Sequence, residues 1–470
     1  MKIVIIGAGV AGCASYLLLK KHLPRPLSEE PHSITIYEAY DTDKDTTYSD
    51  REQGPTHSST LVVGGGLGIG ANGLHVLRRL DEQLLFDIVR GGYVVPTMKM
   101  LTKNGTVLAR LQPTGSPSSG DGTPSQQMHM VASSRHSVWR CLRTRIPDSA
   151  IVTKRISEVI AKPEGRNIIT FADGSPPVEA DLIIGADGLK SLTKRALFPE
   201  AKEDPFPPHY EGLAGVGGFI PSKDLKDLVE KGSMNFVFGG NGFFGYFFAD
   251  SAESSPYRDS PCYVSEPGDK LAWWSSFTAE ECPDPKNLDV EVVSRQLRQR
   301  HGNWKDPVVR KVLESIRVEN MYPTWSVPPL PTWERDGVVL LGDAAHALPP
   351  TSGQGSSQAL EDAEAFTLFF CHYLREAYET QQTDCASRKQ VIKKAAKQYM
   401  DLRLPRVTKL LENAQRTQNS KRDMNIFQEY AMYFFMWIMG WFPRLSAKTF
   451  DDVFRYNVAE EVKNILGKTR

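Results

Sequence analysis

The chain has 470 residues, more than one hydrophobic core readily holds, so two or three structural units are expected. Its 56 basic and 56 acidic residues cancel, which excludes the basic footprint of a nucleic-acid-binding protein. Six cysteines (Cys13, Cys141, Cys262, Cys282, Cys371 and Cys385) are widely spaced without a CxxC pair, which argues against a zinc site or a disulfide framework and for a cytoplasmic protein.

The sequence opens with a strand expected over Lys2–Ile6, then "GAGVAG", then the helical "CASYLLLKK". The apolar run before the glycines is too short for a signal peptide. "ITIYEA" (34–39) reads as a second parallel strand. In this setting Gly7 permits a tight turn, Gly9 lets backbone approach a pyrophosphate, and Gly12 lets helix and strand pack closely. The helix start offers unpaired N–H groups to phosphates, and Glu38 ends the next strand, where a carboxylate can accept ribose hydroxyls. A dinucleotide site is the expectation.

Residues 41–60 and 112–127 are polar and turn-rich, and are expected as loop inserts. Between them "GGGLGIGANG" (64–73) leads into an amphipathic helix. Its "GLGIGA" satisfies GxGxxA and leaves three readings: a second site for NADPH, backbone laid against the ring end of the first cofactor, or a structural turn. "SSRHSVWRCLRTRI" is helix-like, and "ADLIIGADG" (180–188) is a buried strand whose terminal Asp187 reads as an Asx turn or as part of the cofactor site. From 208 to 328, aromatic runs such as "MNFVFGGNGFFGYFFAD" predict a sheet domain inserted into the nucleotide domain. Beyond about residue 356 the pattern is mostly helical. There "AMYFFMWIMGWF" (431–442) falls short of the ~20 residues a bilayer span needs. It reads as a helix packed on the body, with a membrane-surface contact as the rival.

The most specific segment is "GDAAHALPPTSGQGSSQALEDA" (342–363), which follows the apolar "GVVLL". Asp343, at a strand end, can accept from a ribityl hydroxyl. Pro349 and Pro350 stiffen the turn and can lie flat on an aromatic ring. Gly353, Gly355 and Ser356 carry little side chain, so unpaired N–H groups and the positive end of the helix face whatever sits there. A reduced flavin, negative at its N1–C2=O edge, suits such a cradle. His346 reads as structural rather than catalytic.

In this order, the glycine fingerprint, Glu38, "GADG" and the 342–363 segment resemble the single-component FAD-dependent aromatic hydroxylases of the para-hydroxybenzoate hydroxylase fold. Within them the chain is most similar to salicylate-hydroxylase-like and tetracycline-inactivating monooxygenases, including those of fungal secondary metabolism. The resemblance spans about residues 1–370 and implies an α/β fold. A Rossmann-like FAD-binding domain (1–207 and 329–370) would carry an inserted mixed β-sheet substrate domain (208–328) and a C-terminal helical region (371–470). It also implies bound FAD, NADPH as transient donor, and dioxygen adding at flavin C4a to give a hydroperoxide that oxygenates an electron-rich substrate. It gives Arg135 a reach to the cofactor, against the reading of a solvated helix-start arginine. It turns Gly65 and Gly66 toward FAD and presents the N–H groups of Gly355 and Ser356 to the flavin. No metal site is expected.

Two departures stand out. Relatives carry arginine where this chain has Lys194, which keeps the charge but loses the bidentate fork. Salicylate-type relatives carry "YxGxxxWRG" where this chain reads "YEGLAGVGGFI", so Gly217 replaces an arginine that would hold an anionic ring substituent. A small aromatic acid is therefore not the expected substrate. Strand alternation offers Phe236, Phe244, Tyr246 and Trp274 as pocket residues, each also readable as core, and only Tyr246 has a hydroxyl able to move a proton. A bulky polyketide, indole alkaloid or meroterpenoid, hydroxylated or epoxidised, fits best. The rivals are a flavin dehydrogenase or oxidase without oxygen insertion and a non-catalytic FAD-binding protein.

Overall fold

The computed structural model describes residues 1–27, 30–42, 66–113, 127–283, 289–315, 318, 321–382, 384–442 and 450–468. Gly65 and most of the two expected loop inserts lie outside the described residues.

Three apolar runs without polar alternation, Lys2–Ile6, Leu182–Gly185 and Val338–Leu340, are buried on both faces and form the centre of a five-stranded parallel sheet. Its order is Ile151–Thr153, Ser33–Glu38, Lys2–Ile6, Leu182–Gly185, Val338–Leu340, closed by an antiparallel edge strand, Glu334–Arg335. The glycine turn, the end of Leu182–Gly185 and the segment after Val338–Leu340 therefore emerge side by side. Ligands bind at such carboxyl ends of parallel strands.

A seven-stranded mixed sheet forms the second layer. Its order is Met321–Ser326, His209–Pro221, Lys270–Thr278, Gly242–Phe248, Ser233–Gly239, Thr97–Thr102, Val107–Leu111. The last two strands come from before residue 208, and Thr97–Thr102 pairs parallel to Ser233–Gly239. Two helices, Val290–His301 and Pro307–Ser315, pack on one face of this sheet.

The helices Gly355–Glu379 and Cys385–Gln418 are joined by charge. Arg403 is fully buried between Glu361 and Asp362, which are also fully buried. Its Nε donates to Asp362 Oδ1 at 2.8 Å, and its Nη atoms pair with Glu361 and Gln358. Arg406 forks onto Glu361 at 2.8 and 2.9 Å. Asp362 Oδ2 accepts from Gly342 N at 3.0 Å and meets His346 Nε2 at 2.5 Å. Burial alone would raise the Asp362 carboxyl, but His346 and Arg403 hold it down to about 2.

We expect Arg403→Met to lose about 3–5 kcal/mol of unfolding free energy, because it leaves two buried carboxylates side by side without their cation. Urea denaturation monitored by circular dichroism measures this; a loss below about 1 kcal/mol would show that the network carries little of the fold.

Candidate active site

The first glycine turn is built for close approach. Gly7 has φ +100°, and a Cβ there would stand 2.4 Å from the Ala186 carbonyl oxygen. A Cβ at Gly12 would stand 1.9 Å from the Gly7 carbonyl oxygen, so neither position tolerates a side chain. Gly9 differs: a Cβ there meets nothing within 4 Å, so this glycine borders open space. Gly9 also caps the helix Val10–His22 without a side-chain hydrogen bond, leaving N–H groups for phosphate. Glu38 lies beside the turn and accepts from Ala8 N at 2.7 Å and Tyr40 N at 3.2 Å, with lone pairs to spare for a diol.

The segment after Val338–Leu340 meets this turn. Gly342 has φ +61°, and a Cβ there would touch Ala11 at 3.2 Å and Ala359 at 3.4 Å. It is thus wedged between the first turns of two helices, whose positive ends converge. Gln354 caps the helix Gly355–Glu379 without a side-chain bond. Gly353 sits at φ +58°, and a Cβ at Gly353 or Gly355 meets nothing within 4 Å. Pro350, exposed, opens the one-turn helix before them. Asp343 is open to solvent although protein surrounds it, the condition of a side chain on a cleft wall. Burial raises its pKa, opposed by His346 and by Arg135, which begins the helix Arg135–Arg143.

The second glycine run is not a second nucleotide fold. Gly66–Ile69 pairs antiparallel with Met130–Ser134 and belongs to a three-stranded sheet. It is tied to the cradle instead: Ser356 Oγ donates to the Gly68 carbonyl at 3.0 Å, and Gly70 N donates to Ser357 Oγ at 3.0 Å. A Cβ at Gly66 would stand 2.7 Å from the Phe247 ring, which places this strand between the cradle and the mixed sheet.

Asp187 borders the Gly7 turn, but its carboxylate is committed locally. It accepts from Ser191 Oγ, Leu192 N, Thr193 N and Thr193 Oγ1 at 2.6–3.0 Å, the Asx-type use of the residue. Any role in holding a cofactor would run through the turn it shapes. Lys194 points away from Asp187, into an ion pair with Asp204 at 2.6 Å. His346 Nε2 is held by Asp362.

The four aromatic candidates divide. Directly paired residues share a face, and the registers put Phe236, Gly245, Trp274 and Gly217 on one. The Trp274 indole lies over Gly245, where a Cβ would meet it at 2.3 Å, and its neighbours are Phe236, Phe243 and Phe247. Phe244 and Tyr246 occupy the opposite face. Phe244 stacks on Trp273, and the Tyr246 hydroxyl donates to the buried Asp306 at 3.3 Å. Burial pushes the Tyr246 phenol up, and both side chains lie on the sheet face opposite the one that meets the glycine strand. Phe243 and Phe247 share the face of Phe236 and Trp274.

One group on the aromatic face had no motif to announce it. Lys421 is only 7% exposed, its Nζ lies 4.0 Å from the Phe243 ring centroid, and it has no ion pair among the described residues. Burial pushes its pKa down to about 7 from 10.5. The unfolded chain keeps this proton to higher pH than the folded chain, so stability rises as pH rises through that window. Lys421→Met should therefore be more stable by roughly 2–4 kcal/mol at neutral pH, with a flatter pH dependence above it. Denaturant melts across this range test it; a variant no more stable than wild type would contradict the buried charge.

The FAD binding domain family matches residues 164–399, half of the chain. The chain is 26% identical over 428 residues to the 3-amino-4-hydroxybenzoate 2-monooxygenase of Streptomyces cremeus, covering 88% of this chain and 86% of that one. It is 25% identical over 366 residues to the 6-hydroxynicotinate 3-monooxygenase of Pseudomonas fluorescens, covering 77% and 80%. Among solved structures, Klebsiella pneumoniae HpxO complexed with FAD and uric acid shares the fold, with a TM-score of 0.69 at 18% identity over 96% of this chain and 97% of that one. With two converging helix ends, glycines open toward a cleft and an acid on its wall, the chain belongs to the FAD binding domain family and is an FAD-dependent monooxygenase of the single-component aromatic-hydroxylase type.

Proposed function

We propose that this monooxygenase takes electrons from NADPH or NADH and inserts one atom of dioxygen into a bulky, electron-rich aromatic or polyene substrate held against the mixed sheet. The observation that carries the reading is the open cradle at Gly353 and Gly355, at the uncapped start of a 25-residue helix. When bound, FAD supplies both the acceptance of the donor's electrons and the activation of oxygen. The chain's own part is positional. Gly9 and the N–H groups after it receive the pyrophosphate, Glu38 the adenosine ribose, and Asp343 a ribityl hydroxyl. Arg135, close enough to Asp343 to oppose the rise that burial gives its pKa, balances that carboxylate on the cleft wall. The helix start at Gly355 and Ser356 stabilises negative charge on the ring edge beside it.

The sheet face turned toward the glycine strand is apolar: Phe236 and Trp274 are partly exposed and Phe243 and Phe247 pack beside them, which suits a large fused ring and excludes water. Gly217 stands where an anion-binding arginine would shorten the pocket, and a Cβ there would stand 2.8 Å from the Trp273 carbonyl oxygen and 3.2 Å from the Trp274 Cβ.

Four outcomes are expected. The purified chain should be yellow, bleach on anaerobic NADPH addition and recover in air; a panel of polycyclic aromatic natural products should yield a product gaining one oxygen from labelled dioxygen. A chain that bleaches without incorporating label would be an oxidase or dehydrogenase. Gly355→Val should weaken FAD binding about 10- to 100-fold by filling the cradle, and Asp343→Asn about tenfold, both measured by flavin fluorescence. Unchanged affinity in Gly355→Val would remove the basis for the cradle.

A further inference from the structure

The helix Ile426–Trp441 is fixed to the body along one narrow stripe. A capping box of Asn425 and Gln428 sets its start. Glu429 pairs with Lys103 at 2.8 Å, Tyr433 lies 2.6 Å from the Phe238 carbonyl oxygen, and Met436 is buried between sheet and helix. Gly440 lets the helix down onto the strand Val107–Leu111, where a Cβ would stand 2.9 Å from the Leu108 carbonyl oxygen. These anchors recur every three or four residues and make a rigid platform.

The opposite side is bare. Phe427, Tyr430, Phe434, Phe435, Trp437 and Trp441 are 45–83% exposed. Half of the large apolar side chains exposed among the described residues fall between Ile426 and Phe442, so this is one patch rather than scatter. At 3.6 residues per turn the bare positions cover roughly half the helix circumference.

We infer that this face lies on a lipid bilayer surface, with the helix parallel to the membrane plane. The shape selects the occupant. A 16-residue helix, about 24 Å long and about 10 Å wide, offers a rigid partner a footprint of roughly 240 Å2. Each side of a stable protein interface buries about 800 Å2, so a second copy meeting this convex face would leave most of it wet. Acyl chains and headgroups are fluid and wrap a convex arc. Tryptophan and tyrosine, with apolar bodies and polar tips, favour that boundary. No helix among the described residues is long and apolar enough to cross a membrane, which leaves a surface contact. The inner side of the same helix packs on Phe238 and Phe243, so the bilayer would lie one helix away from the aromatic face.

Flotation of the full chain with phosphatidylcholine vesicles, with and without phosphatidylserine, tests this independently of any oxygenase activity. Wild type should float with both. The variant Phe427→Ser/Phe434→Ser/Trp441→Ser should stay at the bottom, its partition coefficient reduced at least about a hundredfold. Its melting temperature should be unchanged, because none of the three is buried. Brominated lipid should quench wild-type tryptophan fluorescence. The inference is overturned if wild type stays at the bottom, whether monomeric in sedimentation or as a dimer that the triple variant dissolves, or if the triple variant floats as well as wild type.

Discussion

Arg403 reaches out of a helix formed by the last third of the chain and places its guanidinium, without solvent, between the neighbouring acids Glu361 and Asp362. Two adjacent carboxylates cannot both stay charged in such surroundings unless a cation stands between them. Once it does, Asp362 is free to hold Gly342 and His346 with its other oxygen. The turn bearing Asp343 is thereby locked to the helix that starts at Gly355. Replacing Arg403 and both acids together by apolar residues of similar volume would stabilise a fold as well or better, whereas removing the cation alone strands the acids. The ionic network adds registry: only one arrangement of the two helices and the turn satisfies every charge.

That registry matters because the cleft is defined more by backbone than by side chains. The wedge of Gly342 between Ala11 and Ala359 brings two helix starts together, and the glycines facing outward leave their N–H groups reachable. A charge placed there is met by fixed dipoles that need no reorganisation. Ser356 and Ser357 turn back to bind Gly68 and Gly70, so the strand that walls the cleft is held by the same helix start.

The substrate layer and the C-terminal helix share a second dependency. The Trp274 indole needs the room left by Gly245, and the helix Ile426–Trp441 needs Gly440 to reach the sheet. Small residues on one element thus set where the aromatic bulk of another can go. The result is an aromatic layer continuous from Phe247, beside the glycine strand, to Phe243 under Lys421.

Motifs that depend on local backbone were legible in the sequence. Glycines at 7, 9 and 12, the acid ending the second strand and the small-residue entry to a helix at 353–357 each act within a few residues, so their spacing alone specified a Rossmann-like start and an electropositive cradle. The structure decided what depends on distant chain segments. In "GFFGYFF" every position is buried, so alternation marks no polar face, and only pairing with Lys270–Thr278 shows that Phe243 and Phe247, not Phe244 and Tyr246, look toward the glycine strand. Asp187, by contrast, was spent within its own turn, on Ser191, Leu192 and Thr193. The two acids inside the apolar "ALEDAEAF" hinted at a buried cation, but naming Arg403 required the helix pairing, because a charge buried on one element is satisfied by whichever element tertiary packing lays across it.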